Sequence, residues 1–149
     1  MELEGVKRAF HFLQLHTLSV PTFVSDRHYG IAKWIREEQP LTKHYFDLWH
    51  VAKSITRKIA SNGKEKGCEQ LLLWIKGIRN HLYWCAMSTK VGFGDLILAK
   101  WKSFINHVVN KHSNHEDPLF TKCVHEPITE RRDWIKIGIK TVLVVGCRA

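Results

Sequence analysis

The chain has 149 residues, of which 44% are hydrophobic and 25% charged, a composition that excludes a disordered or fibrous chain. Its 23 Lys and Arg residues exceed its 14 Asp and Glu residues, for a formal net charge of +9. This excess favours a polyanionic partner, nucleic acid first, although a basic surface that only aids solubility has the same composition.

The sequence carries no export or membrane signal. No apolar run approaches the roughly 20 residues that cross a bilayer, and the first ten residues, MELEGVKRAF, lack the basic start and apolar stretch of a secretory leader. We therefore expect no membrane association and a nuclear or cytoplasmic location. The four cysteines, at 68, 85, 123 and 147, are better suited to thiol or metal roles than to a disulfide framework.

The first part of the chain alternates between helical and extended patterns. Apolar residues at helical spacing predict a helix over 2–16, and the β-branched run TLSVPTFV (17–24) predicts a short strand. A helix capped by Ser25 or Asp26 then runs to Gln39-Pro40, KHYF (43–46) is the second strand, and Asp47 caps another helix. The strand, turn, helix pattern occurs twice.

The second part is predicted to be helical. The polar stretch SNGKEKG (61–67) indicates a loop, and the stretches 68–86 and 95–112 predict two helices that form an antiparallel pair. Residues 113–127 form an irregular loop, and the apolar run TVLVVGCRA (141–149) is either a terminal strand or an altered or truncated end. We therefore divide the chain into residues 1–62 and residues 63–149.

Three polar residues follow the predicted strands. Asp26 lies where side chains project from the carboxyl end of a strand into a crevice, but a simple helix cap gives the same pattern. Asp47 and His50 share one side of a first helical turn. They either act together on a ligand, or cap the helix and pack beside Trp49.

Several segments carry a resemblance to a known family: VSDRHYGIAKWIREEQP, HYFDLWHVAKSI, GCEQLLLWIKGIRNHLYWCA, KWKSFINHVVNKH and LFTKCVHEP. Together they resemble transposon-derived proteins with a ribonuclease H-like DDE transposase domain, near the Mutator-like and Kyakuja–Dileera–Zisupton groups. The resemblance covers most of residues 1–134. Asp26 matches the family's second catalytic aspartate, and Asp47 and His50 match its Asp-x-x-His pair.

The resemblance implies DNA strand cleavage and transfer by two divalent ions, usually Mg²⁺, held on carboxylates. It makes Asp26 a magnesium ligand and gives Asp47 and His50 a positioning role beside the catalytic site. The family's first aspartate and its final glutamate have no recognisable counterpart here. Because one carboxylate is a weak Mg²⁺ site, we expect no independent catalysis.

A second set of residues has the chemistry of zinc ligands. We predict a structural zinc clamp from Cys85, Cys123, His125 and either His81 or His107, although the spacing matches no standard finger and Cys85 also fits an apolar packing stripe. A Cys123/His125 nucleophilic pair is a third alternative. It is poorly supported because neighbours at i and i+2 rarely attain thiol–imidazole geometry.

The fold class we predict is helix-rich α/β, a partial ribonuclease H-like layer followed by an all-helical insertion. The predicted function is a fragment of a DDE-type transposase catalytic domain, inactive alone. The alternative is a zinc-stabilised helical module that binds nucleic acid or protein. In either case we expect non-specific, salt-sensitive DNA binding through basic residues of both parts of the chain. These are Lys33, Arg36, Lys43, Lys53, Arg57, Lys58, Lys64, Lys66, Lys100, Lys102 and Lys111.

Overall fold

The computed structural model of the protein describes residues 1–90, 92–130, 132–136 and 138–139. The chain forms two compact units, Met1–Val51 and Ala52–Ala149. The boundary falls inside a helix, earlier than the predicted boundary after residue 62, because residues from Ala52 onward make their contacts within the second unit. The predicted terminal strand at 141–149 lies outside the described residues.

The first unit consists of alternating helices and strands. In chain order these are α1 (Glu2–Leu15), β1 (Thr22–Ser25), α2 (Tyr29–Glu38), β2 (Lys43–Phe46) and the first turn of α3 (Leu48–Asn62). The strands are parallel, with Thr22 opposite Lys43 and Ser25 opposite Phe46. Helix α2 is the crossover that a parallel pair requires. The sequence pattern predicted each of these elements, although β1 begins only after Pro21.

Aromatic rings form the core of the first unit. Phe10 of α1 is 3% exposed, and its ring meets Phe23 of β1 at 5.3 Å and Trp34 of α2 at 5.2 Å, both edge to face. Ile31 and Ile35 complete the buried cluster. One ring of α1 therefore joins the helices to the sheet, and edge-to-face aromatic contacts add to the burial of apolar surface.

The start of α2 differs from the prediction. Neither Ser25 nor Asp26 caps this helix: the N-cap is His28, whose Nδ1 accepts a hydrogen bond from the backbone N–H of Ile31 at 3.3 Å. The Asp26 carboxylate instead accepts from the backbone N–H of His28 at 3.2 Å, closing a turn before the helix begins. At α3 the prediction is confirmed, because Asp47 Oδ1 accepts from the backbone N–H of Trp49 at 2.8 Å.

The second unit is built on a helix pair. Helix α4 (Gln70–Met87) and helix α5 (Gly94–His107) pack together and run antiparallel, since Trp74 contacts His107 at one end while Ser88 bonds Lys100 at the other. Leu71, Ile78 and Cys85 of α4 are at most 1% exposed. The stripe predicted from helical spacing is therefore the packing face.

Lys100 of α5 lies inside the second unit. It is 7% exposed, and its Nζ donates to Ser88 O at 3.0 Å, Ser88 Oγ at 2.9 Å and Thr89 Oγ1 at 2.9 Å. The same ammonium lies 5.0 Å from the centre of the Trp84 ring. Because all three of its protons have acceptors, Lys100 closes the α4–α5 connection and does not contact phosphates as its sequence position suggested.

After α5 the chain is irregular but tied back to the helices. The backbone N–H of Ile135 donates to Val108 O at 2.8 Å, and Trp74 Nε1 donates to Asp133 O at 3.1 Å. The side chain of Gln70 donates to Trp134 O at 2.8 Å. These bonds anchor residues 133–135 to α4 and to the end of α5.

The architecture confirms a helix-rich α/β protein. The described residues contain five helices and one two-stranded parallel sheet. A parallel pair with a helical crossover occurs in many α/β folds, so the ribonuclease H-like assignment stays a prediction. Among the helices of the described residues, none combines the length and the apolar character that crossing a bilayer demands.

We expect Phe10→Ala to destabilise the first unit by about 3–5 kcal/mol, because the deletion leaves a cavity between α1, β1 and α2. The matched control is Phe12→Ala on the same helix, since Phe12 is 60% exposed and its loss should cost no more than about 0.5 kcal/mol. Urea unfolding followed by circular dichroism measures both. Equal destabilisation by the two variants would contradict this core.

Candidate metal centre

Four side chains in the second unit converge on one point. His107, His112, Cys123 and His125 each offer one ligand atom, and these atoms all lie within 4.8 Å of one another. A tetrahedral Zn²⁺ with bonds of about 2.0–2.3 Å places its ligand atoms roughly 3.3–3.8 Å apart. A contraction of about 1 Å would therefore bring the group to tetrahedral geometry, and the cluster can hold a metal such as zinc.

Two backbone features bring these residues together. His107 is the last residue of α5, and Asn110 then takes a left-handed conformation, with φ of 62°, that turns the chain towards His112. Eleven residues after His112, the backbone N–H of Cys123 donates to His112 O at 2.8 Å. This single bond sets Cys123, and His125 two residues on, against the end of the helix.

The protonation of His112 suits a metal ligand. Its Nε2 lies 2.9 Å from Asn110 Oδ1, an acceptor, so the ring carries its proton there. Its Nδ1 is buried and has no hydrogen-bond partner. A buried imidazole nitrogen with an unused lone pair is the atom that a metal would occupy, and Asn110 is the outer partner that fixes the tautomer.

His125 is oriented in the same manner. Its Nδ1 donates to the carbonyl oxygen of Glu126 at 2.7 Å, which leaves the Nε2 lone pair for a ligand. His107 Nδ1 lies 3.6 Å from Cys123 Sγ, and the rings of His107 and His125 are 5.2 Å apart. Acceptors that belong to the irregular segment thus set the tautomers of two of the three histidines.

Burial and neighbouring charges keep His107 and His112 neutral. Burial, followed by the charges of His112, His125, His81 and Arg132, lowers the pKa of His107 to about 4. Burial and the neighbouring charges also lower the pKa of His112. Neutral imidazole is the form that binds metal, so these two rings are available as ligands at neutral pH.

Cys123 stays a thiol until a cation arrives. Burial raises the pKa of its thiol, and a coordinated divalent ion would remove that proton. His115 also lies near the sulfur, with its Nε2 at 4.0 Å from Sγ. Because burial raises the pKa of the Cys123 thiol, the Cys123/His125 pair lacks the thiolate that a cysteine nucleophile requires.

The structure brings together part of the predicted zinc clamp. Cys123, His125 and His107 are members of the cluster, but Cys85 and His81 are not. Cys85 is fully buried in the packing face of α4, where burial raises the pKa of its thiol to about 12. His81 has its Nε2 bonded to Lys100 O at 2.8 Å. Both residues serve the packing of the α4–α5 pair.

His112 is the ligand that the sequence prediction left out. The predicted clamp included Cys85 of α4 in its place, because Cys85 shares a helical face with His81. A usable signal was the pair of short motifs that flank the loop, His107-x₄-His112 and Cys123-x-His125. Each motif supplies two donors, which is the pattern of a metal clamp closed by a loop.

The predicted catalytic residues lie in the first unit. Asp26 and Asp47 each follow a strand, and because the strands are parallel and Ser25 is opposite Phe46, they follow neighbouring carboxyl ends. The backbone N–H of Asp47 also donates to Ser25 O at 2.7 Å. His50 Nε2 lies 3.9 Å from Asp47 Oδ2.

Magnesium is not supported at this position. Within the described ranges the sole group of three or more His, Cys, Asp or Glu ligands close enough to share an ion is the histidine–cysteine cluster. The Asp26 carboxylate accepts from His28, and that of Asp47 accepts from Trp49. Mg²⁺ requires several fixed oxygen ligands, and this region does not assemble them.

Comparison of the chain with family models, with curated proteins and with solved structures finds no match.

We expect the metal-free protein to lose stability as the pH falls from about 6.5 towards 4. The pKa of His107 is about 4 in the folded chain and about 6.5 in an unfolded one. Between these values the unfolded state binds more protons, so the free energy of unfolding falls with pH. Urea unfolding of chelator-treated protein across this range measures the slope.

His107→Asn should flatten that pH dependence because it removes the titrating imidazole. His11→Asn, at an exposed position of α1, is the control and should keep the wild-type slope. An unchanged slope in His107→Asn would contradict the assignment.

Proposed function

We propose that the protein is a zinc-stabilised nucleic-acid-binding module, derived from a ribonuclease H-like DDE transposase domain and without independent catalysis. The observation that carries the proposal is the convergence of four metal ligands, His107, His112, Cys123 and His125, within 4.8 Å. Four protein ligands fill a tetrahedral site and leave no position for substrate, which is the arrangement of structural zinc.

Zinc suits this ligand set better than the alternatives. Three imidazoles and one thiolate are borderline and soft ligands, whereas Mg²⁺ and Ca²⁺ require oxygen. With neutral imidazoles, one thiolate and Zn²⁺, the centre carries a net charge of +1. A single positive charge on a mostly basic chain adds to the field that attracts a polyanion.

The metal would stabilise the least regular part of the second unit. From Val108 to Glu130 the chain has no helix or strand, so no regular ladder of backbone hydrogen bonds holds it. Binding free energy becomes folding free energy when the site does not exist in the unfolded chain. Zinc would therefore fix this segment against α5 and the segment at Asp133.

One group of exposed basic residues lies around the end of α3. Arg57, Lys58, Lys64 and Lys66 are exposed, and none forms an ion pair with an acid of the described residues. Two basic residues named with them in the prediction are engaged instead: Lys102 pairs with Asp117 at 3.9 Å and Lys111 with Glu116 at 3.0 Å. Unpaired cations on one stretch favour contact with phosphates.

The transposase origin is supported by the first unit. Asp26 and Asp47 follow the carboxyl ends of adjacent parallel strands, which is where α/β proteins place catalytic side chains. The Asp47–His50 contact at 3.9 Å fits the positioning role implied by the family resemblance. One recognisable acid of the metal triad does not form a magnesium site, so the proposed activity is binding.

We expect purified protein to contain about one zinc per chain and to melt at a lower temperature after chelation, because the metal binds only the folded state. Replacement by Co²⁺ should give the absorption of a tetrahedral site with one thiolate. Cys123→Ser should bind zinc at least tenfold more weakly. Elemental analysis and competition with a chromophoric chelator measure these properties.

Cys85→Ala is the matched control for the zinc prediction. This variant removes a thiol outside the cluster and should retain the full zinc content despite some loss of stability. Loss of zinc from Cys85→Ala, or full retention by Cys123→Ser, would contradict the proposed ligand set.

We expect non-specific duplex DNA binding that weakens steeply with salt. Replacing Arg57 and Lys58 by Gln should lower the slope of log affinity against log salt by about 2, because each phosphate contact contributes about 0.9. Lys7→Gln is the control, since Lys7 already pairs with Glu38 at 3.9 Å. Fluorescence anisotropy between 50 and 200 mM salt, roughly the range over which such contacts weaken, measures the slope.

The same preparation should not nick plasmid DNA in Mg²⁺. Nicking that disappears in Asp26→Asn would contradict the absence of catalysis. Binding that does not change with salt would contradict the phosphate contacts.

A further inference from the structure

A cavity of about 310 Å³ lies between α4, α5 and the irregular segment, and His107, Cys123 and His125 of the metal cluster form part of its wall. Four aromatic side chains line it: Trp74, Trp84, Phe104 and Phe120. The ring centres of Trp84 and Phe120 are 6.0 Å apart, as are those of Trp74 and Phe104. The volume is at the lower end of ligand pockets, roughly 300–1,000 Å³, so a single planar ring system fits it best.

The polar groups of the cavity offer acceptors on one wall. His81 Nε2 donates to Lys100 O at 2.8 Å, which leaves the Nδ1 lone pair unused. Ser103 Oγ donates to the same carbonyl at 2.7 Å and keeps its own lone pairs. Both residues line the cavity. A ring that carries an amino group would satisfy them.

Besides the metal ligands His107, Cys123 and His125, the remaining polar lining residue is a cation. Arg132 lines the cavity and is exposed, and it forms no ion pair with any described acid. Together with the +1 charge of a zinc-loaded cluster, it makes this side of the cavity positive. The ligand should therefore join a planar, amino-bearing ring to an anionic group.

Gly77 lines the cavity, and its lack of a side chain leaves space there. It lies in the interior of α4, where glycine costs about 1 kcal/mol relative to alanine. A Cβ at this position would meet only the Trp74 ring, at an ordinary 3.7 Å. Packing therefore does not require glycine here, and the missing side chain leaves space in the cavity.

We infer that this cavity binds one unpaired nucleobase of a single-stranded nucleic acid. The base packs against the aromatic lining, its amino group donates to His81 or Ser103, and its phosphate lies towards Arg132. The inference rests on the proposed nucleic-acid-binding function and adds a ligand class to it. Aromatic rings stack on any base, whereas the acceptors favour adenine and cytosine over thymine.

The test uses the zinc-loaded full chain and labelled eight-residue oligonucleotides at one salt concentration. Oligo(dA) and oligo(dC) should bind more tightly than oligo(dT), and binding should quench tryptophan fluorescence. Gly77→Leu, which fills the cavity, should weaken oligo(dA) binding about tenfold or more and leave duplex binding unchanged. Gly77→Ala is the matched control and should bind like wild type.

Circular dichroism and zinc content establish that Gly77→Leu is folded. Two measurements test the inference without that variant. One is the base preference of the wild type, and the other is oligonucleotide binding by Arg132→Gln, a substitution at an exposed residue. The inference would be overturned if the three oligonucleotides bound equally, or if Gly77→Leu and Gly77→Ala bound oligo(dA) alike. Either result would leave the proposed function standing. Competition by N-acetyltryptophanamide would point to a peptide ligand and would also overturn the inference.

Absence of zinc, or of any DNA binding at low salt, would instead remove the proposed function and with it this inference. The two failures are therefore distinguishable.

Discussion

The convergence of three imidazoles and one thiol is the constraint on which the second unit depends. Like charges repel, so His107 and His112, which are partly buried, can lie this close only while they stay neutral or while a cation lies between them. Burial provides the first condition, because it lowers the pKa of His107 to about 4. A metal provides the second and would also convert the raised pKa of the Cys123 thiol into a stable thiolate.

The supporting contacts explain why this irregular segment has one arrangement. Glu116 accepts from Asn106 at 2.7 Å and from Lys111 at 3.0 Å, and these bonds hold the pKa of its carboxyl at about 2. The backbone N–H of His115 donates to Thr121 O at 2.9 Å. These polar contacts therefore close the loop between His112 and Cys123. The same loop supplies residues to the metal cluster and to the aromatic cavity.

The two units use their polar residues differently. In the first unit Asp26, His28 and Asp47 satisfy backbone donors at the starts of helices. Each of these contacts stabilises a local turn. In the second unit the histidines bond acceptors through one nitrogen and keep the other for a ligand, as in His112. A side chain that caps a helix has its lone pairs engaged, whereas a ring oriented by an outer acceptor keeps one lone pair available.

The amino-acid sequence by itself determined the secondary structure, because helical and alternating periodicities are local: the strand KHYF and the buried stripe of Leu71, Ile78 and Cys85 are present as predicted. It also determined the kind of ligand, since the Cys and His residues are visible in the chain. Only the tertiary structure decided which of these Cys and His residues lie together. Cys85 seemed a ligand by its spacing from His81, but the packing of α4 buries it, and a backbone bond across the loop places Cys123 beside His112. Which residues join the cluster depends on contacts between residues distant in sequence, and periodicity does not encode such contacts.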